Sequence, residues 1–216
     1  RLNLSQFEVK IIALRRGGGL TNSFVNSRIN IIQNVHGRLP TLFKLMKEIF
    51  KNKPIVHCFL PEAYIFGASL GLALNTKKII MSRRSRNFYQ QKYPLAALIE
   101  RRLHKHMDCL MGNSNVVIND LIKEGAPKNR IHLIYNGVDS NRFYFGQQKL
   151  ESRQKIRSLL AIPEKTVVLI CVANLIPYKG HADLITGFGS LKGSFINKST
   201  LLLIGRDHLA SGVKGS

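Results

Sequence analysis

The stretch Thr166 to Ala173 (TVVLICVA) carries no charged residue. It is too uniformly apolar for a strand with one wet face, so it reads as a strand buried on both sides. Related runs recur along the chain: Phe7 to Leu14, Pro54 to Leu60 (PIVHCFL), Lys77 to Met81 (KKIIM), Cys109 to Gly112, Arg130 to Tyr135 (RIHLIY) and Ser199 to Gly205 (STLLLIG). Helical segments separate them. Pro40 to Lys51 puts Leu42, Leu45, Met46 and Ile49 on one face, and Glu62 to Leu74 contains Gly67 and Gly71, which suit close packing on a sheet. Pro94 to His106, Val116 to Glu124 (capped by Asn113-Ser114-Asn115 and ended at Gly125) and Ala182 to Leu191 complete the set. This alternation predicts an α/β fold on parallel sheets covered by helices on both faces.

The texture changes after Asp139. Residues 140–154 are polar and aromatic and read as a linker, followed by a short helix from Lys155 to Leu160. The expected organisation is a first α/β domain over 1–139, the linker, and the start of a second α/β domain over 155–216. The second domain offers only the strands at Thr166 and Ser199 before a Gly- and Ser-rich tail from Asp207 to Ser216. The chain opens on Arg1 rather than Met, which suggests a piece of a longer protein.

Composition narrows the classes. At 216 residues the chain can bury a core without disulfides or metal. Cys58, Cys109 and Cys171 are too few and too far apart for a disulfide framework or a CxxC zinc site, and read as buried thiols of a reducing compartment. The longest charge-free apolar stretch, Ala63 to Leu74, is too short to span a bilayer, and no secretory signal opens the chain. The net charge of +21 calls for an anionic partner: phosphate, nucleic acid or an acidic lipid surface. No zinc-finger spacing, RNP-like motif or basic zipper is present, so no specific nucleic acid is expected.

In open parallel sheets ligands bind beyond the carboxyl ends of the strands. The residues there are polar, basic or glycine: Gly17 to Gly19, His57, Ser82-Arg83-Arg84, Asn136-Gly137, Asn174 to Gly180, and Gly205-Arg206. Gly17-Gly18-Gly19 matches neither a dinucleotide nor a P-loop pattern and reads as a turn. His57 reads either as a satisfied structural histidine or as a general base. Ser82, Arg83, Arg84, Ser85 and Arg86 form either a solvated basic loop or an anion-holding cluster. With Lys92, Arg101, Arg102 and Lys105 they make the most basic stretch, suited to an anionic membrane surface. Lys179-Gly180 is the sharpest signal, placing lysine charge, a glycine N–H and a helix dipole together where a diphosphate could sit.

The motif Ile134-Tyr135-Asn136-Gly137-Val138-Asp139…Phe143, followed by Val172-Ala173-Asn174-Leu175-Ile176-Pro177-Tyr178-Lys179-Gly180-His181 and Leu202-Leu203-Ile204-Gly205, resembles the retaining GT-B glycosyltransferases of family 4. The upstream segments IVHCFLPEAY, IIMSRRS and MGNSNVVINDLIKEGAPKNRIHLIYNGVD fit the acceptor side of that family, so the resemblance covers nearly the whole chain. It implies two Rossmann-like domains, the first binding an acceptor and the second a nucleotide-sugar, with no obligatory metal and no other cofactor.

By that resemblance Lys179 and Gly180 hold the donor diphosphate. Asn174 stands where the family usually has an arginine, and Arg206 is the candidate substitute. His57 matches a common acceptor-side histidine, while the family's second such histidine would fall near Ser82-Arg83, where none exists. His57 and Arg83 are therefore the catalytic candidates, with Ser82, Arg84, Asn136 and Gly137 as further binding residues. The family's first strand and its paired donor-side glutamates would lie outside residues 1–216, so this chain alone is expected to be inactive.

The expected function is hexosyl-type transfer from a nucleotide-sugar to a glycan or lipid-linked acceptor in cell-surface polysaccharide synthesis. The expected location is the cytoplasm, with peripheral attachment to the inner face of the cytoplasmic membrane. The alternatives are another GT-B activity, such as nucleotide-sugar epimerisation or phosphorolysis, and a non-enzymatic polyanion or membrane-surface binder.

Overall fold

The computed structural model describes residues 5–14, 29–33, 37–86, 88–140, 143, 146–191 and 193–206. The Gly17–Gly19 turn and the tail from Asp207 lie outside them. The chain divides into two compact units, Arg1–Gly137 and Val138–Ser216.

In the first unit β1 (Lys10–Ala13) pairs in parallel with β2 (Asn30–Gln33). There follow α1 (Arg38–Asn52), β3 (Ile55–Phe59), α2 (Pro61–Ala73), β4 (Lys78–Arg83), a single turn α3 (Tyr89–Lys92), α4 (Pro94–His104), β5 (Cys109–Gly112), α5 (Asn115–Lys123) and β6 (Ile131–Leu133). Strands β3 to β6 form one parallel sheet in sequential order.

Cys58, Tyr64, Ala68, Ile79, Met81, Leu103, Met107, Leu110, Val117 and Leu121 pack into one cluster between this sheet and its helices. Each large aliphatic side chain so buried contributes roughly 1.5–3 kcal/mol. Close approach of α2 depends on its glycines: a Cβ on Gly67 would stand 2.9 Å from Cys58 Sγ, and one on Gly71 2.9 Å from Ile79 Cδ1. Ser114 caps α5 by accepting the Val117 N–H at 3.4 Å.

The second unit contains α6 (Gln147–Leu159), β7 (Val167–Val172), α7 (His181–Gly189), the turn α8 (Ser194–Asn197) and β8 (Ser199–Ile204). Strands β7 and β8 are parallel, in register from Val167 opposite Ser199 to Val172 opposite Ile204. Arg157 pins the entry to β7, its Nη2 donating to the carbonyls of Pro163, Glu164 and Thr166 at 2.6, 3.0 and 2.6 Å.

Four sequence expectations change. The segment read as a linker contains the first turns of α6, because Leu150 and Ile156 sit among polar residues that still favour a helix. Strand β4 runs on through Ser82 and Arg83, which read as loop. Sheet coverage on both faces holds at β4 but not at β7, where Ile170 and Val172 are exposed. Met46 is not on the core face of α1: Thr41 and Ile49 are buried and Leu42 and Leu45 half-buried, while Met46 faces solvent. The three cysteines are free thiols, but of the three expected to be buried only Cys58 is, its burial pushing the thiol up to about 12, while Cys109 and Cys171 are half-buried.

Candidate functional site

In the first unit the polar residues gather at the carboxyl ends of β3, β4 and β5. His57, expected beyond a strand end, is instead the exposed middle residue of β3, opposite Ile80 across the β3–β4 ladder, and its Nε2 reaches toward the end of β4, 2.8 Å from Ser82 Oγ. The Ser82 hydroxyl donates to Met111 Sδ at 3.6 Å. When the hydroxyl hydrogen is turned to Met111, the oxygen accepts from His57 Nε2–H and the ring's lone pair is on Nδ1; when it is turned to His57, the hydroxyl donates to Nε2. The imidazole leans on Phe59, with ring centroids 4.3 Å apart. Burial, and then the Arg84 charge, push the His57 pKa below its usual value and favour the neutral ring.

Arg84 is exposed beyond the strand end. Its guanidinium bonds the Asn136 side chain and lies 5.8 Å from the Phe59 ring centroid, while its carbonyl accepts from Asn113 Nδ2 at 3.1 Å. A cavity of about 80 Å³ lies here, lined by Phe59, Leu60, Tyr64, Ser82, Arg84 and Glu100. Gly137 has open space where a Cβ would be.

Arg83 departs from the expected catalytic placement. Its side chain is 4% exposed, and Nη1 and Nη2 bond the two oxygens of Glu124 at 2.7 and 2.8 Å. Glu100 Oε2 lies 3.6 Å from Nη2. The guanidinium is thus spent inside the fold, because two buried carboxylates need a charge beside them. Behind the pair, Tyr64 Oη is 2.9 Å from His104 Nδ1, and His104 Nε2 is 3.1 Å from Glu124 Oε2. Burial works to raise the Glu124 carboxyl, but hydrogen bonds from His104 and Arg83, with the Arg83 charge, outweigh it and hold the group at about 2.

The sequence reading missed Tyr64, Glu100, His104 and Glu124. One signal was present: Glu100 is the only acid in α4 and stands three residues from Ala97 and from Leu103, on the buried face.

In the second unit β7 ends at Val172. Ala173 N–H bonds the Ile204 carbonyl at 3.0 Å, and Leu175 N–H bonds the Arg206 carbonyl at 3.0 Å. These bonds bring residues 173–175 against 204–206. A Cβ on Gly205 would stand 1.9 Å from the Ala173 carbonyl oxygen, so only glycine fits there. The turn Pro177–Lys179 leads to Gly180 at φ +72, in the left-handed region, and α7 starts directly after it without a side-chain cap.

Lys179 is exposed, its ammonium 5.2 Å from the neighbouring Tyr178 ring centroid, and it joins no ion pair among the described residues. Asn174 and Arg206 are exposed on the joined strand ends. Both ring nitrogens of His181 are shielded and lack a hydrogen-bond partner, a feature the sequence reading did not single out. Asp183 is the acid of the first turn of α7. Among the described residues no cluster of three His, Cys, Asp or Glu side chains could hold a metal.

Parallel sheets flanked by helices, with polar residues at their carboxyl ends, define a Rossmann-like α/β protein of the GT-B type. The structure is similar to that of Anabaena Alr3699/HepE, solved in complex with UDP and glucose: TM-score 0.72, 18% identity, 92% of this chain and 53% of the other. It is also similar to a glycosyltransferase from Rickettsia africae ESF-5, with TM-score 0.62 and 17% identity over 97% of this chain and 63% of the other. An uncharacterized 41.2 kDa protein in the cps region of Klebsiella pneumoniae is 32% identical over 107 residues, 50% of this chain and 28% of that protein.

The sequence profile of Glycosyltransferase Family 4 matches residues 2–142. The chain belongs to Glycosyltransferase Family 4. It spans about half the length of Alr3699/HepE and 28% of the Klebsiella protein.

Proposed function

We propose that the full-length protein transfers a hexosyl-type sugar from a nucleotide-sugar donor to a glycan or lipid-linked acceptor in cell-surface polysaccharide synthesis, at the inner face of the cytoplasmic membrane. The observation that carries this reading is the start of α7: an uncapped helix end, a left-handed glycine, and an exposed lysine without an ion pair among the described residues. Uncapped N–H groups and the helix dipole favour an anion there, and a lysine adds a point charge. A departing nucleoside diphosphate is the anion that sugar transfer must stabilise. The presence of UDP in the solved Anabaena protein supports a uridine-type donor, as does the presence of UDP-glucose in a further structure of it.

Lys179 and Gly180 take the diphosphate, and Arg206 supplies the cation that Asn174 does not. No metal or other cofactor is assigned a part. On the acceptor side His57, hydrogen-bonded to Ser82, is the candidate base, while Arg84, Asn136 and Gly137 form the polar rim. Arg83 acts as a buried support for this rim and not as a group touching substrate. The test is transfer of labelled sugar by the full-length protein and its Lys179→Ala variant. A loss of about 10²-fold or more in kcat/KM is expected, and a variant as active as its parent would remove the assignment.

A further inference from the structure

Leu60 stands in a backbone conformation that few side chains adopt. Its φ is +70° and its ψ 155°, a region held almost only by glycine. Pro61 follows it, and a proline drives the residue before it toward extended backbone with negative φ. The fold fixes this strain in place. Strand β3 ends one residue earlier, α2 starts one residue later, and the Leu60 carbonyl accepts from the Tyr64 N–H at 2.9 Å. Strained residues of this kind collect at ligand sites, where the surrounding structure over-determines them.

The forced position makes Leu60 a wall of the cavity at the carboxyl ends of β3 and β4. Leu60 is 75% exposed and Phe59 beside it 43%. With Pro61, Tyr64 and Met81 they form an apolar lining. The polar groups sit around it. Arg84 lies 5.8 Å from the Phe59 ring centroid and bonds Asn136, which leaves guanidinium N–H donors to spare. The Ser85 hydroxyl is exposed next to it, and Glu100 belongs to the same lining. At about 80 Å³ the cavity is far below the roughly 300 Å³ at which pockets begin to hold a whole small ligand. It has room for a substituent and not for a sugar ring.

We infer that this cavity receives the acetamido group of an N-acetylated acceptor sugar, its methyl packed against Leu60, Phe59 and Met81 and its carbonyl accepting from Arg84, with Leu60 as the residue that sets the specificity. This rests on the acceptor-side reading above and names the class of acceptor. A hydroxyl in place of the acetamido group would leave the apolar walls facing water. A carboxylate would meet Arg84 but also the Glu100 carboxylate in the same lining. A long acyl chain exceeds the volume. His57 leans on the same Phe59 ring, so the group is anchored next to the candidate base.

The test uses the full-length protein without a sugar donor, so it reads acceptor binding whether or not sugar is transferred. The probes are the methyl glycosides of N-acetylglucosamine and N-acetylgalactosamine, each beside its 2-hydroxyl parent. In saturation-transfer NMR at least one acetamido sugar should bind about tenfold or more tighter than its parent, with the acetyl methyl the most strongly saturated group. Leu60→Gly and Leu60→Ala should both reduce that preference to about twofold or less. Thermal unfolding separates the two variants. Tm should rise in Leu60→Gly, which frees the backbone, and not in Leu60→Ala, which keeps a Cβ at the same φ.

If neither variant folds, the preference of the parent alone decides. Equal binding of acetamido and hydroxyl sugars, no binding of any of them, saturation confined to ring protons, or a preference kept by both variants would each overturn the inference. So would a Tm lower in Leu60→Gly than in Leu60→Ala, because Leu60 would then not be held under strain.

Discussion

Replacing Arg83 with alanine leaves the Glu124 and Glu100 carboxylates, 11% and 1% exposed, without the cation they share. Removing one partner of a buried ion pair costs about 3–5 kcal/mol, because the remaining charge stays desolvated. The Glu124 pKa gives an upper bound on the same quantity, because the His104 and Gln90 hydrogen bonds share with Arg83 in lowering it. The fold holds Glu124 at about 2 against an ordinary 4.5, a difference equivalent to roughly 3 kcal/mol.

Since the folded value lies below the unfolded one, this stability is complete above the unfolded value and drains as pH falls from 4.5 to about 2. Arg83→Ala therefore costs most at neutral pH. Its penalty shrinks by about 1–2 kcal/mol on going to pH 3, where the freed carboxyl accepts a proton in the fold as well. Arg83→Lys keeps a charge without the two-pronged geometry and falls between.

Urea unfolding followed by methionine methyl NMR reads the first unit alone, because Met46, Met81, Met107 and Met111 all lie in it. A penalty below about 1 kcal/mol, or one that is flat from pH 7 to pH 3, would refute the reasoning.

Gly205→Ala would drive a methyl to 1.9 Å from a backbone oxygen that cannot step aside, so it should destabilise the second unit by about 3 kcal/mol or more in thermal unfolding. Gly112→Ala meets side-chain atoms, Ile118 Cδ1 at 2.6 Å and Val117 Cγ1 at 3.2 Å, and should cost about 1–2 kcal/mol; equal costs would mean that the Ala173–Gly205 approach is not rigid. Ser82→Ala removes the hydroxyl bonded to His57 Nε2, so ¹⁵N NMR should show one dominant tautomer in the parent and a mixture in the variant; an unchanged spectrum would deny the positioning role. The His57 titration midpoint should lie below 6.5 in the parent and move upward in Arg84→Gln, because a repelling charge has been removed.

The strands were legible because a continuous apolar run has few other uses, and Thr166–Ala173 contains β7 almost to the residue. β2 went unread: Asn30–Gln33 offers two isoleucines between amides, too little for a periodicity to show. On α1 the apolar residues occupy so much of the helix that spacing alone cannot separate the inner stripe from the outer, which is why Met46 was misplaced.

Lys179-Gly180 was readable because strand end, turn and helix start are contiguous, so local chemistry defines the arrangement. Arg83 was not, because its partners come from two other places in the chain, α4 and the end of α5, and no pattern in the SRRSRN segment announces them. The joining of Asn174 to Arg206 likewise follows from strand pairing and not from either local sequence.

The central claim is that the start of α7 binds the diphosphate of a sugar donor. Isothermal titration of UDP into the full-length protein, beside Lys179→Ala and Gly180→Ala, tests it most directly. The account predicts binding by the parent that weakens about tenfold without the Lys179 charge and at least as much when a methyl is forced onto the left-handed backbone at Gly180. UDP bound equally by all three proteins would contradict it.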